Sequence, residues 1–223
     1  MAKFNSPEQD AVVVVGLGRF GSSVAVSLAR LGHDVLGIDR DPGLVQEWSD
    51  RLTHVVEADA TNTDTLRRLG AHEFAHAVVG IGDDIEASVL TVLALSELAI
   101  PDIWAKAISD KHGRILEKTG AHHVIYPEAT MGERVAHLVT GKMIDFIEFD
   151  DGFAIVKTGA PSEAIGKTLA ASALRSKYGV TIVGVKRPTE DFTYAKPNTM
   201  VDKGDLLIVS GPTVKVEAFA AIT

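Results

Sequence analysis

The chain contains no cysteine, which excludes a disulfide framework, a thiolate zinc site and a cysteine nucleophile. Positive charge is in deficit. The 22 Lys and Arg stand against 30 Asp and Glu, for a net charge of −8, and the isoelectric point is about 5.4. Nucleic acid and anionic membranes are held by basic patches, so neither is an expected partner. The first ten residues, Met-Ala-Lys-Phe-Asn-Ser-Pro-Glu-Gln-Asp, carry no apolar signal core. The longest apolar stretch, Ala87 to Ile100, falls short of the roughly 20 residues a bilayer span needs. It also contains Ser88, Thr91, Ser96 and Glu97. A soluble cytoplasmic protein is expected. No serine elbow, no His-Glu zinc motif, no internal repeat and no low-complexity segment is found in the sequence.

What is there begins at residue 12. Residues 12–21 read Val-Val-Val-Val-Gly-Leu-Gly-Arg-Phe-Gly, and Asp39 follows Gly21 by 18 residues. Four apolar β-branched residues running into glycines read as a buried strand, a tight turn and the start of a helix. Gly16 permits the turn, Gly18 lets backbone approach a phosphate, and Gly21 lets the helix pack on the strand. The helix N-terminus then offers N–H groups and partial positive charge to an anion. Asp39 ends the next strand, where a carboxylate can accept both ribose hydroxyls. Asp39 suits ATP and NAD alike and repels the 2′-phosphate of NADP. The first half is therefore expected to bind an adenine nucleotide.

With 46% apolar residues in 223, the chain can bury one or two cores. Strands are expected at 11–15, 34–38, 54–57, 75–79, 102–107 and 122–125. Helices are expected near 20–31, 42–50, 62–69, 84–98, 109–118 and 129–141. These units predict an α/β, Rossmann-like, doubly wound parallel sheet over residues 1–142. Asn62 with Thr63, and Ser109 with Asp110, suit helix caps, and Gly32, Gly70, Gly120 and Gly141 suit helix ends. From Ile144 the pattern becomes period-two, with strands at 144–149, 153–156, 180–185 and 206–209 and one helical run near 168–176. Residues 143–223 are expected to form a small α+β domain.

Several residues could complete a nucleotide site at the carboxyl ends of the strands. Asp59, Ala60 and Thr61 follow the third strand, Gly80-Ile81-Gly82 the fourth, and Lys106 ends the fifth. A helix cap, a turn and a solvated charge are their ordinary alternatives. Arg19 lies within the phosphate loop, where it could serve a further phosphate on its own or a neighbouring subunit. His122 and His123 are adjacent on a strand and point to opposite faces, which argues against one shared metal. All eight histidines (33, 54, 72, 76, 112, 122, 123 and 137) fall in the first domain, leaving the second without a general acid or base of that type. A nucleotide site without a visible catalytic site suits a sensor. A small NAD-dependent oxidoreductase is the enzyme alternative.

The chain resembles the RCK, or KTN, regulatory subunits of Ktr/Trk-type bacterial potassium uptake systems. The resemblance is carried by Gly-Leu-Gly-Arg-Phe-Gly (16–21), Gly-His-Asp-Val-Leu-Gly-Ile-Asp (32–39), Ala-Asp-Ala-Thr (58–61), Ile-Pro-Asp-Ile-Trp-Ala-Lys-Ala (100–107) and Leu-Glu-Lys-Thr-Gly-Ala (116–121). Ile-Tyr-Pro-Glu-Ala-Thr-Met-Gly (125–132) and Leu-Arg-Ser-Lys-Tyr-Gly-Val-Thr-Ile-Val-Gly-Val-Lys-Arg (174–187) extend it towards the C-terminus.

The resemblance implies a homo-oligomer, dimers assembled into an octameric ring, that gates an integral-membrane potassium channel subunit from the cytoplasmic face. It implies a site for ATP or ADP, or NAD(H) in other members, made by Gly16, Gly18, Arg19, Phe20, Gly21, Asp39, Arg40, Asp59, Ala60, Thr61, Gly82, Lys106 and Glu128. Arg19 would reach the terminal phosphate of the partner subunit's nucleotide. Glu128 would hold a divalent cation such as Mg or Ca between facing sites; by itself it reads as an acidic first-turn residue behind Pro127. The second domain resembles the RCK C-terminal lobe, which in some members binds cyclic di-AMP. The matching positions are Leu169, Ala170, Leu174, Arg175, Thr181, Ile182 and Pro197, with Arg175 pairing to phosphate. Ala173 departs from that pattern, and the same residues also read as a dimer core. An NAD(H)-sensing regulator of the same architecture is the alternative within the family.

Overall fold

The computed structural model describes residues 11–140, 143–149 and 151–223. Its first part alternates β1 (Ala11–Val15), α1 (Arg19–Arg30), β2 (Asp34–Asp39), α2 (Pro42–Trp48), β3 (His54–Glu57), α3 (Thr63–Arg68), β4 (His76–Val79), α4 (Ile85–Glu97), β5 (Asp102–Lys106), α5 (Asp110–Thr119) and β6 (His123–Ile125). Among the described residues these six strands make one parallel sheet in the order β3-β2-β1-β4-β5-β6. Both faces of β1 are buried. Val12 and Val14 pack with Leu17, Ala25 and Val35, while Val13 and Val15 pack with Ile38, Val79, Leu95 and Ile103. That is why β1 reads as an unbroken apolar run, since a strand covered by helices on both sides has no solvent face to make polar.

Side-chain caps start four of the helices of this first part. Asp41 accepts from Gly43 N–H before α2, Asn62 from Thr65 N–H before α3, Asp84 from Ala87 N–H before α4, and Ser109 from His112 N–H before α5. Gly70 and Gly120 follow α3 and α5 with φ of +79° and +117°, the left-handed geometry that closes a helix. The strand order reverses between β1 and β4, opening a crevice at the carboxyl ends of the strands.

By packing, the chain divides between Glu128 and Ala129, inside α6 (Pro127–Thr140). The expected boundary at 142 and the expected helix stop at Gly141 concern residues 141 and 142, which lie outside the described residues. His137, expected with the first domain, packs in the second unit. Its ring stacks on Phe146 at 4.2 Å and its Nδ1 lies 3.0 Å from Glu217 Oε1.

The second unit contains β7 (Met143–Phe149), β8 (Phe153–Gly159), β9 (Lys167–Thr168), α7 (Leu169–Ser172), α8 (Leu174–Tyr178), β10 (Thr181–Lys186), β11 (Phe192–Tyr194), β12 (Met200–Val201), β13 (Leu206–Pro212) and α9 (Thr213–Ala220). Its main sheet is antiparallel, in the order β11-β10-β13-β8-β7, and β9 pairs with β12. The helical run expected near 168–176 is two short helices, because Ala173 takes φ +52° between them. The sequence pattern also misses α9, whose Thr-Val-Lys-Val start favours strand. Burial of Val216, Phe219 and Ala220 in the lobe's core overrides that local preference. It misses β11 too, since Phe192, Thr193 and Tyr194 are all exposed and show no in-out alternation.

A candidate nucleotide cleft at the switch point

The glycine loop between β1 and α1 is fixed by contacts that only glycine tolerates. Gly16 has φ +87°, and a Cβ on Gly21 would fall 1.8 Å from Gly16 O, inside the van der Waals radius of a backbone atom. Gly18 has open space where a Cβ would be, so its backbone can be approached from the crevice. The loop is tied back by Gly16 N–H to Ile38 O (2.8 Å) and by Gly80 N–H to Val15 O (2.7 Å). Unlike α2, α3, α4 and α5, α1 begins at Gly18 with no side-chain cap and no acidic residue in its first turn. Its leading N–H groups therefore face the crevice with the positive end of the helix dipole.

Asp39 sits where sequence reasoning placed it, at the end of β2, and does more than face the crevice. Leu17 N–H donates to its Oδ2 at 2.6 Å and Asp41 N–H to its Oδ1 at 2.9 Å. One carboxylate thus locks the glycine loop to the β2–α2 turn and still has lone pairs to spare. Asp59 is held similarly: Thr61 N–H and Thr61 Oγ1–H donate to its Oδ1 at 2.9 and 2.7 Å. The Thr61 hydroxyl, then its N–H, hold the Asp59 carboxyl below the usual carboxylate range, so it is ionised at neutral pH. The ordinary alternative for Asp59, a helix cap, falls to Asn62 instead.

These elements enclose a cavity of about 330 Å³. Of the expected site residues, Gly16, Gly18, Asp39, Arg40, Asp59, Ala60, Thr61 and Gly82 line it. Arg19, Phe20, Gly21, Lys106 and Glu128 do not. Gly21 is packed beneath the loop and Arg19 is exposed at the start of α1. Lys106, Glu128 and Phe20 form a separate cluster. Lys106 Nζ is 2.6 Å from Glu128 Oε1 and 5.8 Å from the centroid of the Phe20 ring. The Lys106 ammonium, with Arg19 as a weaker contributor, keeps the Glu128 carboxyl below its usual range.

Sequence reasoning missed Asp84, Ala87 and Thr91, which also line the cavity. Asp84 Oδ2 lies 3.2 Å from Arg40 Nη1, and its carboxyl is held low, first by the Ala87 N–H and then by Arg40. A signal existed in Asp83-Asp84 directly after Gly80-Ile81-Gly82, at the carboxyl end of β4. Thr91 gave none, because a threonine inside an apolar helix reads as core.

The paired histidines turn to different partners. His122 Nδ1 accepts from Ile103 N–H at 3.0 Å, whereas His123 stacks on Trp104 at 4.0 Å and reaches Asp102 at 3.2 Å. Among the described residues no three His, Asp or Glu side chains come together in a way that could hold a metal ion. No helix among them is long and apolar enough to cross a membrane. In the second unit all seven positions singled out from the sequence, Leu169, Ala170, Leu174, Arg175, Thr181, Ile182 and Pro197, line one open cleft of about 800 Å³, together with Ala173, Ser176, Ala195 and Lys196.

Residues 12–127 match the TrkA-N domain model and residues 153–223 the TrkA-C domain model. The chain is 37% identical over 207 residues to the Ktr system potassium uptake protein C of Bacillus subtilis, covering 92% of this chain and 94% of that one. It is 34% identical to the Ktr system potassium uptake protein A of Vibrio alginolyticus, with 91% and 93% covered. Among solved structures, the GsuK RCK domain superposes with a TM-score of 0.67 at 17% identity, over 98% of this chain and 48% of that one. The GsuK channel bound to NAD gives a TM-score of 0.53 at 26% identity, over 98% and 39%. The chain thus spans about half or less of those solved chains.

Proposed function

We propose, because the chain belongs to the TrkA-N and TrkA-C family, that it is a cytoplasmic regulatory subunit of a membrane potassium uptake system and that an adenine nucleotide in the switch-point cleft sets its state. The observation that carries this reading is the uncapped start of α1 beside Asp39. There an anion site and a ribose acceptor lie in one cavity. The potassium partner is suggested by the Ktr system proteins of Bacillus subtilis and Vibrio alginolyticus, similar over more than nine-tenths of their length.

The chain is read as a sensor and not an enzyme. Three of the carboxylates around the cleft are engaged in holding its walls: Asp39 by two backbone N–H groups, Asp59 by Thr61, and Asp84 by Ala87 and Arg40. Groups so committed fix geometry, whereas a general base must be able to take a proton.

The nucleotide is proposed to be ATP or ADP, in a homo-oligomer of dimers that closes into an octameric ring. Arg19, exposed at the mouth of the phosphate loop, would reach the terminal phosphate held by a facing subunit. Glu128 would supply one carboxylate to a divalent cation between two such sites. One chain does not close that cation site, since Glu128 is a single carboxylate already paired with Lys106. A second copy and phosphate oxygens would have to complete the hard oxygen donor set that Mg or Ca requires. The ring would exchange between shapes, and ATP and ADP would shift it only by their difference in affinity for those shapes. A coupling of about 1–3 kcal/mol would change the partner's activity several-fold. The open cleft of the second unit, with Arg175 as its phosphate partner, is proposed for cyclic di-AMP.

The test is calorimetric titration of nucleotide-stripped protein with ATP, ADP and NADH, with and without Mg or Ca. The proposal expects ATP to be preferred and the cation to strengthen it. Arg19→Ala should weaken ATP more than ADP, and Glu128→Gln should abolish the gain from the cation. Tight NADH with weak ATP would replace this reading by an NAD(H)-responsive regulator, a second reading favoured by the similarity to the NAD-bound GsuK channel.

A further inference from the structure

We infer that Lys196 is a second phosphate-binding residue of the open cleft in the second unit, acting beside Arg175. This rests on the reading of that cleft as a cyclic di-AMP site. The chain carries a net charge of −8, yet the local balance here is reversed. Among the described residues two cations, Arg175 and Lys196, line the cleft and no Asp or Glu does. Elsewhere Arg40, Lys106, Arg134, Lys177 and Arg187 each have a carboxylate partner. Arg175 and Lys196 make no such pair among the described residues. Two unneutralised cations facing one cleft call for an anion with charge enough for both.

The two cations come from different elements. Arg175 belongs to α8, and Lys196 opens the turn between β11 and β12. That turn closes on itself: Lys196 N–H donates to Thr199 Oγ1 and Thr199 N–H to Lys196 O, each at 2.9 Å. It is also docked on α7, where Ala170 N–H donates to Pro197 O and Leu169 N–H to Thr199 O, both at 2.9 Å. Pro197 keeps the Lys196 backbone out of the helical region. The base of the lysine is therefore fixed at the rim of the cleft, while its flexible stem is free to carry the ammonium to an anion. Leu169, Leu174, Ile182 and Pro197 give the cleft apolar surface, against which a base can lie. A phosphodiester held over such surface is partly desolvated, so a cation beside it is worth more than in open water. The roles differ in kind. The Arg175 fork can grip two phosphate oxygens, whereas Lys196 supplies a point charge.

Wild-type, Lys196→Gln, Lys196→Arg and Arg175→Gln proteins are titrated calorimetrically with cyclic di-AMP at low and at high salt. Lys196 is exposed, so Lys196→Gln should melt with wild type and the titrated protein is folded. Lys196→Gln is expected to weaken binding about five- to tenfold at low salt and to make affinity fall less steeply with salt. Lys196→Arg keeps the charge and should keep both affinity and salt dependence. Arg175→Gln should weaken binding more than Lys196→Gln does, because a two-pronged contact is lost. A merely structural role for Lys196 would lower affinity equally at both salts, and that result overturns the inference. So does a Lys196→Gln protein that binds as wild type does, or a loss in Lys196→Arg as large as in Lys196→Gln. Wild type that binds no cyclic di-AMP, or an Arg175→Gln protein that binds it unchanged, overturns the reading of the cleft itself, and this inference with it.

Discussion

The cleft of the first unit is walled by backbone turns, whereas that of the second is walled by two short helices and a hairpin. In the first, Gly16, Gly21 and Asp39 leave the loop almost no freedom: a left-handed glycine, a helix pressed against a carbonyl, and a carboxylate bonded to two N–H groups. In the second, Leu169, Ala170, Leu174 and Arg175 reach the cleft from α7 and α8, which are 4 and 5 residues long. Helices so short are held by tertiary packing and not by their own hydrogen bonds. The first cleft is thus set before any ligand arrives. The walls of the second are set by the packing of those short helices on the lobe's core.

The largest effect that would break this contrast is at Gly21. Gly21→Val drives a side chain into Gly16 O and should cost about 3 kcal/mol or more, read as a large fall in Tm. A mild loss would mean that the loop can move away and is not fixed. Next comes Asp39→Ala, which leaves the N–H groups of Leu17 and Asp41 without their acceptor. About 2 kcal/mol of stability should be lost, together with at least tenfold in nucleotide affinity. Affinity lost with stability unchanged would show that Asp39 serves the ribose alone.

A smaller and opposite effect is expected in the second unit. Ala173→Gly relieves a left-handed alanine and should stabilise by about 0.5–1 kcal/mol in denaturant unfolding. A loss would mean that the alanine methyl packs usefully in the cleft. The smallest effect is in pH. His112, 2% exposed with Nε2 unpaired, has its pKa pushed down by burial. The unfolded chain then takes up a proton that the folded chain refuses. Stability should fall as pH drops below 6.5, the ordinary histidine value, and level off beneath the lowered folded value. His112→Asn should flatten that slope in a Tm series from about pH 7.5 to 5.5.

Legibility in the sequence followed local physics. The six strands and six helices of the first part were readable because the central strands β1 and β2 are buried on both faces and most helices carry their own cap or stop, as with Asn62, Ser109, Gly70 and Gly120. The second lobe was less readable. Its helix α9 contradicts the β-branched preference of Thr213 to Val216, and β11 lies exposed at the sheet edge without alternation. In the cleft of the first unit, Asp39 and the glycines were visible because a turn and a close approach demand those residue types. Asp84 was signalled only by its place after Gly80-Ile81-Gly82, and Thr91 was not visible, because its place in the cleft depends on where α4 lies against the sheet.

By itself the sequence determined the doubly wound sheet, the glycine turn and the acidic residue that follows it, since periodicity, capping and glycine geometry act over a few residues. Only the tertiary structure decided which side chains share a space. It brought Arg40 to Asp84 across the cleft mouth and Lys106 to Glu128 beyond its end. Those pairs are 44 and 22 residues apart in the chain, a separation that only the stacking of parallel strands can close.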